Sequence, residues 1–447
     1  MQSELLFAYC CLISVGCYTN TFNIGILLEE GSQEYIQEAV DIIEKAVNER
    51  IFTLFRDCSF HPIFTFVSSN NFEQLRQKVC ELSDAGAVVL LGPSNREFAM
   101  LIEPLCRELG IAYIKYHWDP VYSKAEETNS SYVINLFPTS QYSILLDRLL
   151  SHWKWDYFTF VYTNKEAPRQ LSPVLSRTVV TPSLLMVDDS TEQGLMIAAL
   201  ALRGICDRRF CWVKRNRVII DMSPNNTLRF LDAALKLGMI SIHNWFVVSS
   251  LDDLDNHLEQ YVHNTMRLSL ITIWKGDIDP LIHDRDKIKE LYNSWLRKIG
   301  HSRITPFKDF AYIFDAILTS CHLNHPLPKA RSCRSSSTSN NSKSLHVRTV
   351  RGLTGLLSFN DNGDRLDNQL QIWEFGMDGT ALNTGTWSSD RTGAKQLTMR
   401  AASIPGTQEY DINRRHQARV LRVSTIAERP YIMEKVLPNG KAAPFSL

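Results

Sequence analysis

The sequence predicts an α/β fold of two doubly wound lobes, each a parallel sheet with helices on both faces. Three observations carry that reading. Phe72 to Tyr113 reads helix, strand, turn, helix, strand, a unit that packs stably only in a parallel sheet covered on both sides. The alternation of strand and helix runs from Asn23 to Leu136 and then restarts at Tyr142. Each run occupies about 120 residues, as two similar lobes would.

The elements follow in order. Asn23 to Leu28 (NIGILL) opens as a strand, and Ser32 precedes a helix with Ile36, Ala39, Val40, Ile43 and Val47 on one face. Phe60–Val67 is the next strand. Phe72, Leu75, Val79 and Leu82 recur at helical spacing, and Gly86 closes that helix. Ala87–Leu91 is wholly apolar, as a strand buried on both faces must be. Gly92-Pro93-Ser94 turns the chain, and Ser94 with Glu97 forms the S-x-x-E capping box of a helix running through Leu105 and Leu109. Pro104 inside it predicts a kink. Ile111–Ile114 and Val133–Leu136 are strands.

The second run begins with a helix over Tyr142–Trp153 and the strand Tyr157–Tyr162 (YFTFVY). Val218–Ile220 is a buried strand, followed by a helix through Leu228, Leu231 and Leu235 and the strand Trp245–Val248. Phe310 to Leu323 is a further helix, and the Pro-, Ser-, Asn- and Arg-rich stretch from Pro326 to Lys343 is a loop. Thr354–Phe359 and Gln369–Phe375 flank Asn360-Asp361-Asn362-Gly363-Asp364, which predicts a hairpin with Asn-Gly at its turn.

The 447 residues suffice for two or three domains, and 48 Lys and Arg balance 48 Asp and Glu. No global field favours nucleic acid or an anionic membrane. Leu5 to Val15 has the length of a signal-peptide core, with Ser14-x-Gly16 as a cleavage site, so residues 1–17 are expected to be a secretory signal. The preceding residues carry Glu4 and no Lys or Arg, and a buried first strand is the alternative. No other stretch has the roughly 18 to 20 apolar residues of a membrane span.

Cys58, Cys80, Cys106, Cys206, Cys211, Cys321 and Cys333 follow the signal, an odd number. Asn129, Asn225 and Asn340 head N-x-[ST] sequons and become glycan acceptors on secretion. Catalytic and cofactor chemistry is absent from the motifs: no G-x-S-x-G, H-E-x-x-H, P-loop or G-x-G-x-x-G occurs, and neither an enzyme nor a cofactor is expected. Cys321-His322-x-x-His325 lacks a fourth metal partner nearby, and a surface helix end explains it better. Asp361, Asp364 and Asp367 lack the Glu that completes a calcium loop. Arg414, Arg415, Arg419 and Arg422 form a basic linker, read as solvated.

Four ordered motifs carry a resemblance. VCELSDAGAVVLLGPSN (Val79–Asn95), HWKWDYFTFVY (His152–Tyr162), VIIDMSP with ALKLGM (Val218–Met239) and GLTGLLSFNDNGDRLDN (Gly352–Asn368) together resemble the amino-terminal domain of kainate-type ionotropic glutamate receptors. That domain is similar to type 1 periplasmic binding proteins, which implies a bilobed clamshell over residues 21–400 with interleaved lobes. Leu421 to Met433 resembles the first strand of the agonist-binding domain that follows in these receptors, so 401–418 is expected to be a linker and 419–447 a truncated start of that domain.

The resemblance implies the rest. Cys80 and Cys333 match the family's disulfide, with a buried free thiol at Cys80 as the alternative. Glu428 and Tyr431 match residues at the rim of the agonist cleft, and equally fit a strand ended by Pro430; glutamate binding would need the missing remainder of that domain. The implied work is assembly with other glutamate receptor subunits outside the cell. Pairing would run through the helices Phe72–Leu82 and Asn95–Leu109, with Phe98 and Leu101 as interface residues unless core packing claims them. A secreted clamshell for an amino acid or similar small ligand is the rival reading.

Overall fold

The computed structural model describes residues 20–29, 34–56, 58–68, 72–93, 96–116, 132–137, 139–177, 180–208, 216–240, 244–251, 254, 258, 261, 266–273, 281–299, 307–323, 345–375, 381–389, 395–400, 433–436 and 442–445. The chain divides into two units, Met1–Ala402 and Ser403–Leu447.

The larger unit is built on two sheets wound alike. In the first lobe β1 (Asn20–Glu29), β2 (Cys58–Val67), β3 (Ala87–Leu91), β4 (Ala112–Lys115) and β5 (Val133–Asn135) are all parallel, in the order β2-β1-β3-β4-β5. Helices α1 (Glu34–Asn48), α2 (Phe72–Asp84) and α3 (Arg96–Leu109) connect them. Alternation along β1 sends Ile24, Ile26 and Leu28 to one face and Leu27 to the other. The first face packs on α1, the second on Leu75, Val79 and Leu82 of α2 and Phe98, Ala99 and Ile102 of α3. Helix α3 continues through Pro104, which lies on its exposed side.

The second lobe repeats the winding. Helix α4 (Thr139–His152) leads to β6 (Tyr157–Tyr162), the short α5 (Ser172–Leu175), β7 (Thr181–Met186), α6 (Glu192–Arg208), β8 (Asn216–Asp221), α7 (Pro224–Lys236), β9 (Asn244–Leu251) and β10 (Arg267–Thr272). Their order, β7-β6-β8-β9-β10, matches that of the first lobe strand for strand. Tyr142, Leu145 and Leu149 of α4 pack on one face with Phe158 and Phe160. Leu195, Ala199 and Leu202 of α6 and Phe230 and Leu231 of α7 pack on the other with Val161, Val218 and Phe246.

Helices α8 (Arg285–Ile299) and α9 (Phe307–Cys321) then return to pack on α1. A small antiparallel pair, β11 (Val350–Gly352) and β12 (Gly355–Leu357), follows against α9. Strand β13 (Asn368–Phe375) goes back to the second sheet, antiparallel to β10, and β14 (Ala381–Ser389) and β15 (Lys395–Met399) extend that edge. The lobes are thus interleaved, and the main chain crosses between them three times.

One expected pairing is corrected. The turn at Asn360–Asp364 is present, with Gly363 at φ +78°, but the segments beside it do not form one hairpin. Strand β12 pairs with β11, β13 pairs with β10 and β14, and a single bridge between Phe359 and Arg365 joins the flanks. Each flank belongs to a different lobe, so tertiary partners outcompete the local pairing.

The smaller unit contains an antiparallel pair, β16 (Met433–Val436) and β17 (Ala442–Phe445).

Candidate functional site: crossings, cleft edges and exposed faces

The first and third crossings are joined by a buried polar network. Asp315, two turns into α9, accepts hydrogen bonds from the backbone N–H groups of Leu353 (2.6 Å) and Thr354 (2.8 Å) and from the Thr354 hydroxyl. That same hydroxyl accepts from Arg365 Nη1 at 2.6 Å. Arg365 also donates to the carbonyls of Thr354 (2.9 Å), Leu356 (3.1 Å) and Asp367 (2.9 Å), and to Leu136 O in the first crossing at 3.4 Å. Asn135 N–H donates to Gly363 O at 2.8 Å, a second tie between the crossings. Gly352 is fixed by this arrangement, because a Cβ there would run into the Asp315 carboxylate. Burial pushes the Asp315 carboxyl above its ordinary range and the Arg365 guanidinium below its own, each opposed by the other's charge.

In open parallel sheets the ligand crevice lies beyond the carboxyl ends of the strands where the winding reverses. Here those points are β1/β3 in one lobe and β6/β8 in the other. The second lobe presents Asp221 at the end of β8, accepting from Gln170 Nε2 at 3.0 Å. Beside it the Tyr142 hydroxyl donates to Ser249 O at 2.6 Å. Burial, reinforced by Asp221, keeps the Tyr142 phenol protonated. The first lobe presents the cis Gly92-Pro93 turn and Tyr116, whose phenol burial pushes up. Lys308, at the start of α9, donates to Ser250 O at 3.2 Å and so ties α9 to the end of β9.

No catalytic pairing of nucleophile and base appears in these polar contacts. Among the described residues no cluster of three or more His, Cys, Asp or Glu could hold a metal. Cys106 is a free buried thiol in the α3 core, and burial raises its pKa far from reactivity.

The expected site residues fall out as follows. Phe98 is 5% exposed and belongs to the core between α2, α3 and the sheet, whereas Leu101 is half-buried at its margin. Cys80 is disulfide-bonded, and Cys333 lies outside the described residues. Asn225 stands exposed in the first turn of α7, with Thr227 of its sequon buried and donating to Met222 O. Asn129, Asn340, Glu428, Tyr431, the signal segment, the 401–418 linker and the side chains of Ser94 and Glu97 also lie outside the described residues. Cys321 is not available to a metal, because it is bonded to Cys58. Asn360 and Asp367 are engaged in the turn: Asn360 Oδ1 accepts from the N–H groups of Asn362 and Asp364, and Asp367 accepts from the Ser358 hydroxyl.

Three features escaped sequence reasoning. The Cys58–Cys321 disulfide ties β2 to the end of α9; only the leftover cysteine count hinted at it. The Asp315–Thr354–Arg365 relay was invisible because burial of charge leaves no local pattern. The largest exposed apolar side chains of the second lobe were also missed: Ile197 (65%), Met186 (53%), Leu200 (49%), Leu184 (48%) and Leu175 (47%). They lie on α6, the edge strand β7 and α5.

Comparison with known proteins agrees with this architecture. Residues 63–378 match the model of the family described as receptor family ligand binding region. The human glutamate receptor ionotropic, kainate 5 is 24% identical over 433 residues, spanning 92% of this chain and 40% of that protein. The same receptor of Mus musculus is equally similar, and human glutamate receptor ionotropic, kainate 4 is 22% identical over 95% of this chain and 44% of its own length. The chain thus spans less than half the length of these relatives. With the matched segment covering most of both lobes, the chain belongs to the receptor ligand-binding-region family, with kainate-type ionotropic glutamate receptor subunits as its relatives.

Proposed function

We propose that the chain acts as an extracellular amino-terminal receptor domain that pairs with a second subunit of its own kind and thereby directs assembly. The observation that carries this reading is the apolar exposure on the second lobe. Leu184 and Met186 share one face of the edge strand β7, while Ile197 and Leu200, three residues apart, lie on the outer side of α6. Large side chains concentrated at a sheet edge are the surface a partner would cover. Pro182 in β7 removes a backbone donor from that edge, which favours side-chain packing over strand addition. Among the described apolar side chains of α3, Phe98 is buried and Leu101 and Leu105 are half-buried, less exposed than Ile197 and Leu200 of α6.

The kainate-type relatives support the choice of partner, another glutamate receptor subunit, and an extracellular position. The sequons at Asn129, Asn225 and Asn340 and the bonded state of Cys80 accord with that position, and glycans on those asparagines and a Cys80–Cys333 bond are part of the same proposal. No helix among the described residues is long and apolar enough to cross a membrane. In this reading the segment from Leu421 onward leads toward an agonist-binding domain, where Glu428 and Tyr431 would sit at the rim.

Sedimentation of the secreted chain over a concentration series tests the proposal. A reversible dimer is expected, with dissociation constant raised at least about tenfold by Ile197→Asp or Met186→Asp, as for an interface anchor. A strict monomer at every concentration, or a dimer indifferent to both changes, would overturn it.

A further inference from the structure

We propose that Asn225 is a glycan acceptor open only on the growing chain, and that folding of the second lobe closes it. This rests on the extracellular position proposed for the chain, because the transfer takes place in the secretory pathway. The sequon Asn225-Asn226-Thr227 lies in the first turn of α7, not in a loop. The fold treats its three residues differently. Asn225 is exposed, so a glycan placed there is compatible with the finished structure. Thr227 is 0% exposed, its hydroxyl donates to Met222 O at 3.3 Å, and its N–H donates to Ser223 O at 2.8 Å. Asn226 Nδ2 donates to Asp189 Oδ2 at 2.6 Å, and Asn226 Oδ1 accepts from Arg229 Nη1 at 3.1 Å. The acceptor faces solvent while the hydroxyl that identifies it is turned inward.

That division decides when the chemistry can happen. In the transfer, the Asn225 amide nitrogen bonds to the anomeric carbon of an oligosaccharide as that carbon's bond to a polyprenyl diphosphate breaks. The diphosphate leaves with the electron pair, and the amide gives up one proton. An N-x-[ST] site is defined by its hydroxyl, so the transferase has to reach Thr227 as well as the asparagine. In the folded chain that means unwinding the first turn of α7 and releasing Asn226 from Asp189. Phe230 and Leu231, one turn further on, are fully buried and hold the helix down. The growing chain is not so constrained, because α7 packs on residues made after it. The Tyr261 hydroxyl donates to Leu228 O at 3.2 Å, and Phe246, Leu270 and Phe375 complete the same core. Phe375 follows Asn225 by 150 residues (225 to 375), which takes roughly 8–30 s to synthesise. Asn225 is modified in that interval or not at all, and a molecule secreted without this glycan stays without it.

The test uses the full chain in two ways. Secreted from animal cells, it is digested, and the mass of the peptide carrying Asn225 is measured before and after enzymatic removal of glycans; a glycan on Asn225 is expected. Made in bacteria without glycans, the folded chain and its Phe230→Ala variant are each incubated with purified oligosaccharide transferase and a polyprenyl-diphosphate oligosaccharide. Phe230→Ala empties the core beneath α7 and leaves the sequon intact, and it serves whether or not it folds. Transfer to Asn225 of the folded wild type is expected to be at least about tenfold slower than to Phe230→Ala, as for a site that reacts only through local opening. Thr227→Val in the Phe230→Ala chain should abolish the transfer. Equal transfer to the folded wild type and to Phe230→Ala would overturn the proposal. So would a bare Asn225 in a secreted chain whose Asn129 or Asn340 carries a glycan. Glycans on none of the three would overturn the extracellular position and this inference with it.

Discussion

Strand β2 with helix α2 in the first lobe and strand β7 with helix α6 in the second hold the same place in the winding, yet they meet solvent differently. Both strands form the outer edge of their sheets, and both helices carry the chain from that edge across to the third strand. On α2 the outward positions are Glu73, Arg76, Gln77, Glu81 and Asp84, laced by a Lys78–Glu81 ion pair at 2.9 Å and a Gln77–Glu81 hydrogen bond at 3.0 Å. On α6 two of the corresponding outward positions are Ile197 and Leu200. Duplicated topology fixes where the inner faces pack but leaves the outer faces free to diverge. A solvated outer face suits a helix with no partner; an apolar one at the same place is what the proposed docking through the second lobe would use.

The sharpest way to break this contrast is Phe98→Ala in α3. If Phe98 is core, as its burial indicates, the change should cost about 3–5 kcal/mol of stability and alter dimer affinity only through unfolding. Denaturant titration beside sedimentation separates the two, and a large loss of affinity at unchanged stability would return the docking face to the first lobe. Next in size is the Cys58–Cys321 bond, which tethers the β2 edge to α9 across a sequence separation of 263 residues. Cys58→Ser with Cys321→Ser should cost about 2–5 kcal/mol. Differential hydrogen exchange should place the loss in the first lobe, and uniform loss across β7 and α6 would contradict that assignment.

What the sequence made legible follows from the same contrast. The strands Ala87–Leu91 and Val218–Ile220 announce themselves because burial on both faces demands an unbroken apolar run, and Tyr157–Tyr162 does so by its aromatic and β-branched residues. Strand β7 does not: TPSLLM contains Pro182 and has only one covered side, so neither alternation nor a full apolar run marks it. Helix α6 is apolar nearly all round, which blurs the periodicity that identifies an amphipathic helix. The Asn-Gly turn was readable because positive φ is a local demand, whereas the partners of its flanks were set by sheets elsewhere in the chain. Arg365 and Asp315 lie 50 residues apart in numbering and meet only after α9 and the third crossing are packed, so no window of sequence contains their relation.

A smaller effect separates the lobes by pH. Asp284, immediately before α8, accepts hydrogen bonds from the N–H and hydroxyl of Thr53 at 2.6 and 2.8 Å. Burial pushes its carboxyl up, but these bonds, with Lys287 and the Leu54 N–H, outweigh it and hold the pKa below the ordinary value. A carboxyl depressed in the folded state contributes stability that is present above its unfolded value, about 3.9, and is lost as the pH falls through the folded one. Asp284→Asn should therefore cost about 1–3 kcal/mol at neutral pH, and the gap from wild type should close on acidification. A gap that stays constant to the acid limit would mean the interaction does not depend on the charge. Because Thr53, α8 and α1 all belong to the first lobe, exchange in β7 and α6 should be untouched.

The finest distinction is made by Ile197→Asp read as a stability change. A side chain this exposed on the monomer has little to lose on truncation, so unfolding measured at concentrations below dimer formation should move by no more than about 0.5 kcal/mol. The same variant is expected to weaken pairing severely, and the ratio of the two effects is what identifies a docking residue. Phe98→Ala should show the opposite ratio. If Ile197→Asp instead destabilises the dilute monomer by as much as Phe98→Ala does, α6 is held by packing in the isolated chain. Its apolar outer face would then be an extension of the lobe's own core, and the difference between β2–α2 and β7–α6 would concern folding and not assembly.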